Sequence, residues 1–427
     1  MTIYVVSTTG SNANGTGSLA NPWATFAYAS NLMADGDLLY VRGGTYDEAM
    51  LNRFPSGIDA NHKTRIVGHP GDSVPVIAPS TATSANAALR ISTKSDQSYE
   101  GLDFNGLESN IDTVKLTDTA SRIDLIGCTV RNAPQQGVLM TGTGSAHLLR
   151  NCTIYGNGTA YASIANELHN VYISVPDVVV EDCNIYAPSD PGGYGIHAYG
   201  GDPSRLIVRR CQIHDGGDYG VGLFTGEDMR VENCLFWGAA TTAGLRMAYS
   251  ATRAVAYHNT ILNAFYNGGS PTTDCVVTNN IIWPLLANVS TGSTGTVFTN
   301  NFLASLTDNG TGTITTNNQI GVDPLFVNQG GGDFHLLGTS PAIGAGIPIG
   351  VTTDYDGLVR IMPPSIGAFD ITNRAPSGGG GGAPRGTRAY RRGFDPVVSR
   401  PIPRSGRAVD PVTGDSTPRG RRTYRRG

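Results

Sequence analysis

The chain has 427 residues, enough for one to three domains, and its 56 glycines and 15% charged residues suit a fold with many tight turns. Its formal net charge of −4 is unevenly distributed: residues 374–427 contain 13 Arg, no Lys and 3 Asp, which gives +10 and leaves −14 for residues 1–373. No apolar run approaches the roughly 18 residues of a membrane span, so we expect no membrane partner. No basic start precedes an apolar stretch, so no secretory signal is visible: either a leader has been removed or the protein does not use the general export route.

The N-terminal region, residues 1–85, is expected to contain a strand, a helix and the first repeats of the fold. Residues 3–7 form a short apolar strand, and Pro22-Trp23 is expected to start a helix, because proline is favoured in the first helical turn. The helix should end at Asp35-Gly36-Asp37, before an apolar strand over residues 38–42.

A short phrase, clearest as Leu149-Arg150-Asn151-Cys152-Thr153-Ile154, recurs nine times between residues 86 and 320. We call the fourth residue of each copy, here Cys152, the rung. The residue before the rung, here Asn151, is mostly Gly, Asn or Asp, types that tolerate a left-handed backbone at a corner; Arg210 and His258 are exceptions. A strand–corner–strand unit at steps of 21 to 31 residues predicts a solenoid. The rungs are Leu102, Cys128, Cys152, Cys183, Cys211, Cys234, Asn259, Asn280 and Asn301.

The aligned cysteines and asparagines are predicted to form the core of this solenoid. Stacked coils lie about 4.8 Å apart, so small buried thiols can fill the stack and buried amides can hydrogen-bond from coil to coil. Disulfides or a bound metal are the alternatives for the cysteines. We predict no zinc site, because no CxxC pair occurs and no His is placed beside a Cys to complete one.

A second strand repeat precedes each rung, as in Val171-Tyr172-Ile173 and Ile196-His197-Ala198, so three strands per coil should build three parallel sheets. Alternation sends the middle residue of each triplet outward. The outward residues of four successive coils then form one patch that can stack on sugar rings and pair with carboxylates or sulfates, which predicts a polysaccharide-binding surface. The alternative is a sheet face packed on neighbouring coils or a partner subunit. The patch consists of Tyr172, His197, Tyr199, Phe224 and Arg246.

Motifs near both ends resemble one known group. The phrase Gly36-Asp37-Leu38-Leu39-Tyr40-Val41-Arg42-Gly43-Gly44-Thr45-Tyr46 follows the helix, and Asp323-Pro324-Leu325-Phe326, Ser340-Pro341-Ala342-Ile343-Gly344 and Ile366-Gly367-Ala368-Phe369-Asp370 appear in order near the end. Together they resemble the pectate-lyase-like group of right-handed parallel β-helix proteins, over about residues 1–371. The resemblance implies an all-β solenoid of about 10–12 coils, with a body over 86–320 that is closed by the N-terminal helix and by a C-terminal segment within 321–373.

The same resemblance implies candidate chemistry, because the fold hosts lyases, hydrolases and epimerases as well as phage spikes and non-catalytic surface proteins. A lyase of acidic polysaccharides needs a base and a group that neutralises the sugar carboxylate. His197 and Arg246 are weak candidates for these roles, at about 10 Å from each other by the coil spacing. No cofactor is expected, except Ca²⁺ if the protein is a lyase. Loop residues beside the sheet that can contribute, although acidic residues there are more often turn residues, are Asp190, Asp215, Asp218, Glu167 and His169.

The segment 374–427 begins with the glycine run 378–382 and then becomes rich in Arg, Pro and Gly without apolar periodicity, which is typical of disorder. It can bind nucleic acid, dock into a larger assembly of protein subunits, or act as a solubilising end. A repeated Tyr-Arg-Arg-Gly favours docking, because Arg forks and Tyr rings suit specific contacts. The residues proposed for docking are Tyr390, Arg391, Arg392, Tyr424, Arg425 and Arg426.

Two functional classes remain at this point. The first is a virion or extracellular-surface protein, a spike or decoration that contacts glycan with its sheet and docks through its tail. The second is a secreted polysaccharide lyase or related hydrolase that acts on an acidic glycan. Spikes with this fold are often trimers, so the resemblance also suggests a homotrimer.

Overall fold

A computed structural model of the chain describes residues 1–80, 87–106, 111–160, 162, 168–238 and 242–371. Spatial contacts divide the chain into two units, Met1–Arg374 and Ala375–Gly427, and the second lies outside the described residues. The fold of the first unit is a parallel β-helix in which each coil contributes one strand to each of three parallel sheets. None of the described helices is both long and apolar enough to cross a membrane.

Sheet 1 carries the predicted patch. Its strands are Met50–Leu51, Leu89–Ile91, Val114–Leu116, Val138–Met140, Val171–Ile173, Tyr194–Ala198, Tyr219–Leu223, Ala243–Met247, Phe265–Asn267 and the C-terminal halves of Ile281–Val289 and Phe302–Asp308.

Sheet 2 precedes each corner. Its strands are Ile3–Val6, Leu38–Val41, Thr64–Gly68, Ser95–Glu100, Ser121–Ile126, Leu148–Arg150, Val179–Glu181, Ile207–Arg209, Arg230–Glu232, Val255–Tyr257, Val276–Thr278, Val297–Thr299 and Ile314–Thr316.

Sheet 3 follows each corner and joins sheet 1 through the strands of the last coils. Its strands are Thr45–Tyr46, Val76–Ile77, Asp103–Asn105, Thr129–Arg131, Thr153–Tyr155, Asn184–Tyr186, Gln212–His214, Leu235–Trp237, Thr260–Ile261, the N-terminal halves of Ile281–Val289 and Phe302–Asp308, and Gln319–Ile320. A small parallel pair, Thr272–Thr273 with Ser293–Thr294, lies outside these sheets.

The corner residues between sheets 2 and 3 have the backbone that the repeat predicts. Asn151, Asp182 and Asn233 have φ of 55°, 56° and 52°, and the exceptions in residue type, Arg210 and His258, have φ of 50° and 53°. The coil therefore requires a left-handed backbone at this corner, and even Arg210 and His258 adopt it. His258 is fully buried there, and its Nε2 lies 3.0 Å from Nδ2 of Asn279, which makes it a structural residue.

The core contains the ladder of stacked rung residues that the sequence predicts. Cys128, Cys152, Cys183, Cys211 and Cys234 are free thiols, all at most 1% exposed. The thiol of Cys152, for example, donates to the carbonyl of Leu125 one coil earlier, at 3.3 Å. The sixth cysteine, Cys275, is also free and buried but lies beside a strand of sheet 2, off this ladder.

Three buried amides continue the ladder where the cysteines end. Nδ2 of Asn259 donates to Oδ1 of Asn280 at 2.9 Å, and Nδ2 of Asn280 donates to Oδ1 of Asn301 at 3.0 Å. The structure adds a fourth rung, because Nδ2 of Asn301 donates to Oδ1 of Asn318 at 3.0 Å. These asparagines are structural, as the buried stack predicts.

The N-terminal end of the solenoid is covered by the helix Phe26–Leu32. The helix starts four residues after Pro22, because Trp23 instead bridges to Val6 in sheet 2. Thr25 caps the helix, and the Glu48 carboxylate accepts from the backbone N–H groups of Phe26 and Ala27, at 2.8 Å each. The Phe26 ring is fully buried, so this end of the core is closed.

The C-terminal segment does not cap the other end, contrary to the expectation for residues 323–371. It starts with the hairpin Phe326–Asn328 and Asp333–Leu336, which encloses the 3₁₀ turn Gln329–Gly331. The segment then runs along the outer face of sheet 3, where Phe334 and Phe369 cluster with Leu235. The outward residues of these coils are apolar, and that explains the lateral position.

His335 holds this segment through two carboxylates, and we expect a pH dependence from it. Its Nδ1 lies 2.6 Å from Oδ1 of Asp333 and its Nε2 lies 3.0 Å from Oδ2 of Asp356, an arrangement that suits the doubly protonated ring. Although burial opposes it, these contacts raise the pKa of His335 above its ordinary 6.5.

The stabilisation from His335 is therefore complete below the ordinary histidine pKa and is lost as the pH rises through the raised value. Because intrinsic amide exchange itself speeds up as the pH rises, the quantity to measure is the protection factor of the amides in Asp333–Leu336. It should fall over that rise in the native protein and stay nearly constant in His335→Gln. An equal fall in both proteins would contradict this role.

Candidate functional site

The predicted patch lies in register on sheet 1. Tyr172 pairs with His197, His197 with Gly222 and Gly222 with Arg246, each on the next coil. Tyr199 and Phe224 lie in the next outward row. The backbone N–H of Tyr199 donates to the carbonyl of Ile173, and that of Phe224 to the carbonyl of Ala198, each on the preceding coil. The structure therefore brings together the five residues that the strand repeat selects.

Their exposure differs from the solvated face that alternation predicts. Tyr199 is 42% exposed, and Tyr172 and Arg246 are half-buried, but His197 and Phe224 are only 7% and 2% exposed. The cause is Gly222, whose missing side chain leaves room on the sheet: a Cβ there would lie 2.8 Å from the Phe224 ring. Phe224 folds back into this space instead of extending outward.

A second layer of tyrosines, which the strand repeat does not predict, closes over Phe224. Tyr194 and Tyr219 are each 4% exposed and contact the Phe224 ring at centroid distances of 5.7 and 6.3 Å. Tyr249 contacts it at 5.0 Å, with a left-handed φ of 49°. The repeated Tyr-Gly pairs at 194–195 and 219–220 were the available signal in the sequence.

His169 and His197 form a hydrogen-bonded pair with a fixed direction. The backbone N–H of Tyr194 donates to Nδ1 of His169 at 3.0 Å, so Nε2 of His169 carries the proton of the neutral ring. That Nε2 lies 2.7 Å from Nδ1 of His197, which must then accept. The neutral His197 consequently carries its proton on Nε2.

Both rings are held neutral at neutral pH. Burial lowers the pKa of His169 to about 3. Burial, together with the neighbouring His169, lowers the pKa of His197 well below its ordinary 6.5. The backbone N–H of Tyr194 fixes the direction of the His169–His197 bond, so Nε2 of His197 carries a proton. His197 is therefore better suited to be a neutral hydrogen-bond donor than the base that the resemblance suggests.

Arg246 is a cation without an acidic partner in the part of the chain that the structure describes. Its Nη1 donates to the Tyr219 hydroxyl at 2.6 Å, and its guanidinium lies 5.1 Å from the Tyr219 ring centroid and 5.5 Å from that of Phe224. Burial alone would lower the pKa of Arg246, but the surrounding tyrosine hydroxyls raise it, so the group stays charged. Burial raises the pKa of Tyr219 to about 12, so its hydroxyl is neutral.

An arginine without a carboxylate nearby, such as Arg246, is unusual in the part of the chain that the structure describes. Eleven of the fourteen arginines in residues 1–371 lie within 4.0 Å of a carboxylate. Of the other three, Arg53 is exposed, and Arg90 lies six strands before Arg246 in the same outward row. A desolvated charge without a counterion favours binding of an anion.

The loop residues do not complete a catalytic pair. Asp190 accepts from the N–H groups of Leu168 and Gly192, both at 2.8 Å, as a turn residue does. Asp215 bonds His214 at 2.8 Å, Asp218 accepts from the Thr242 hydroxyl, and Glu167 lies outside the described residues. Within the described ranges no group of three or more His, Cys, Asp or Glu side chains is placed to hold a metal ion.

Comparison with known proteins supports the fold. Residues 137–320 match the family model described as a right handed beta helix region, and the chain is a right-handed parallel β-helix. No curated protein sequence matches the chain.

Several solved structures are similar over most of the chain. Pectate lyase Pel9A is 15% identical with a TM-score of 0.61, and covers 87% of this chain and 97% of its own. XylC in complex with xylose is 10% identical with a TM-score of 0.60, at 87% and 98% coverage. PfbA, a surface adhesin of Streptococcus pneumoniae, is 13% identical with a TM-score of 0.53, at 68% and 84%. At these identities the similarity concerns the fold alone.

Proposed function

We propose that the protein binds an acidic glycan on sheet 1, with Arg246 as the anion-binding residue. The observation that carries this proposal is the half-buried guanidinium of Arg246, which has aromatic neighbours and no carboxylate within 4.0 Å among the described residues. A carboxylate or sulfate of the ligand supplies the missing counter-charge, because arginine forks match such groups in two hydrogen bonds.

The residues around Arg246 fit a sugar rather than a small inorganic anion. His197 offers a neutral N–H donor that suits a hydroxyl or ring oxygen, and the exposed Tyr199 ring stacks on His197 at 5.4 Å with 6° between the planes. Such aromatic faces pack on the apolar face of a pyranose. The proteins of similar fold include a pectate lyase, a protein crystallised with xylose and a surface adhesin, which is compatible with glycan recognition.

The test is calorimetric titration with uronate oligosaccharides and with uncharged xylo-oligosaccharides. We expect the uronate to bind more tightly, and Arg246→Met to weaken its binding by about 10- to 100-fold, the range for loss of a solvent-accessible charge-assisted contact. Binding of the uncharged sugar should change much less.

The matched control is Arg253→Met, since Arg253 is an exposed arginine already paired with Glu227 and Asp228. Equal losses in both variants, or no preference of the native protein for the charged sugar, would refute the anion-binding role of Arg246.

A second candidate function is a polysaccharide lyase, with Arg246 neutralising a uronate carboxylate. The direction of the His169–His197 hydrogen bond disfavours His197 as the base, so we expect binding without turnover. Incubation with uronate polymers, followed by ultraviolet absorbance of unsaturated ends, decides between the two. Robust turnover that is lost in His197→Ala would establish the enzyme and reject the purely binding function.

We also propose that the basic segment 374–427, outside the described residues, docks the solenoid to a larger particle at a virion or cell surface. The net charge of +10 and the two Tyr-Arg-Arg-Gly copies support this. A protein truncated after Asn373 should keep its affinity for glycan and lose association with the particle. Continued association of the truncated protein would reject the anchor.

A further inference from the structure

Among the described residues nothing covers the C-terminal end of the solenoid, whereas the helix Phe26–Leu32 covers the N-terminal end. Thr315 pairs in register with the fully buried Phe298, and Ile320 pairs with the fully buried Leu303. Both residues therefore occupy core positions of the last coil. Yet Thr315 is exposed and Ile320 is 54% exposed, because no further coil lies against them in the described structure.

The backbone of the last coil also presents unpaired groups. The N–H groups of Ile314, Gln319 and Gly321 donate back to the preceding coil, at 2.8 Å each. In a parallel ladder alternate residues face opposite neighbours, so the N–H and C=O groups of Thr315 and Ile320 point away from the solenoid. Within the described residues no hydrogen bond uses these groups, and they form two short strand edges.

These edges lack the features that normally prevent strand pairing. Residues 309–322 contain no Asp, Glu, Lys, Arg or Pro. Proteins usually protect open edges with charged side chains, prolines or a covering element. The C-terminal segment 323–371, called the closing segment below, is not such an element, since its Phe334 and Phe369 pack on the outer face of sheet 3 instead.

We propose that this end binds the same end of a second copy of the chain, in a twofold end-to-end dimer. A twofold interface places each surface against itself, so it requires a surface that does not repel its own copy. The coil 309–322 carries no charge, and the exposed Asp308 and Asp323 flank it outside the edge strands that would pair. The twofold makes the edge strands Ile314–Thr316 of the two copies antiparallel, a pairing that needs no connecting chain.

Two partners could bind this end: the chain's own segment 374–427 or a second copy of the chain. The lack of charge on residues 309–322 favours the second copy. The segment 374–427 carries 13 Arg and a net charge of +10, and it would meet no acidic side chain on residues 309–322. A second copy brings instead a matching row of N–H and C=O groups and the exposed Ile320. The proposal therefore differs from the homotrimer that the sequence resemblance suggests, and it is independent of the proposed glycan site.

The test is sedimentation equilibrium of the full chain, which has a mass of 44.8 kDa. We expect a monomer–dimer equilibrium in the native protein. Lysine in place of Thr315 or Ile320 would bring two like charges into a dry interface, and we expect each variant to weaken the dimer by at least roughly a hundredfold. Val74→Lys is the control, because Val74 is 58% exposed in a loop of the N-terminal region.

Hydrogen exchange of the peptide that contains residues 314–320 provides a second measurement. Its protection should increase with protein concentration in the native chain and in Val74→Lys, and not in the two end variants. A monomer at all concentrations, a trimer, or a dimer that survives both end variants would overturn the proposal. Concentration-independent protection in a monomer would indicate that the chain's own C-terminal segment covers the end instead.

Discussion

Replacing Asn280 with leucine should lower the free energy of unfolding by about 3–5 kcal/mol, as each buried polar group left unpaired costs about 1–3 kcal/mol. Oδ1 of Asn280 accepts from both the backbone N–H and Nδ2 of Asn259, at 2.9 Å each. Its own Nδ2 donates to Oδ1 of Asn301 and to the carbonyl of Ala256. Leucine has a similar volume but removes these four bonds and a fifth, from Nδ2 to the carbonyl of Thr278 at 3.1 Å, and every partner is buried.

Urea unfolding followed by circular dichroism measures this loss. The control is Asn14→Leu, because Asn14 is exposed and bonds the Ser11 hydroxyl through its backbone N–H. We expect that control to remain within about 0.5 kcal/mol of the native protein, as is usual for surface substitutions. A loss below about 1 kcal/mol in Asn280→Leu would show that the amide ladder contributes little to stability.

The second large effect is expected at Arg360, which fastens the closing segment to the solenoid. Arg360 is 3% exposed, and its Nη2 donates to Oδ1 of Asn233 at 2.6 Å and to the carbonyls of Gly367 and Ala368 at 3.0 and 3.1 Å. Burial lowers the pKa of Arg360 to about 10, which still leaves it charged at neutral pH. Arg360→Met removes the donors and leaves these acceptors buried.

We expect Arg360→Met to destabilise the attachment of residues 323–371 by about 3–5 kcal/mol, the usual cost of removing one partner from a buried charged network. Limited proteolysis should then cut within this segment while the strands of sheet 1 remain protected. Arg360→Lys should give an intermediate result, because lysine keeps the charge but not the planar fork. Arg205→Met, at an exposed arginine paired with Asp177, should match the native protein, and equal proteolysis of all variants would contradict the role of Arg360.

The repeat was enough to predict the coil and its contents, because each coil meets the same local conditions. A left-handed corner, an inward apolar residue and a small rung residue recur at Asn151 and Cys152, and all follow from short-range geometry. The register of sheet 1 followed for the same reason, and it correctly placed Tyr172, His197 and Arg246 in one outward row, with Gly222 on the coil between His197 and Arg246.

The sequence did not predict which outward residues would be covered, because that depends on contacts between coils and with distant segments. Phe224 is buried because Gly222, two residues earlier, leaves space for its ring. The pairing of His169 with His197 joins a loop to a strand across 28 residues, and no periodicity signals it. The closing segment was identified by its motifs, but its position depends on the apolar outward residues Leu235 and Ile281 of sheet 3.

The lateral position of the closing segment affects how the molecule responds to force and heat. In a solenoid each coil contacts only its neighbours, so coils can unravel one at a time from an end. Here Arg360 is bonded to Asn233, the amide of Ala368 to the hydroxyl of Thr260, and Asn279 to the carbonyl of Ile347. These bonds link three successive coils to one external strap, which should make the C-terminal half yield in a single cooperative step rather than by gradual fraying.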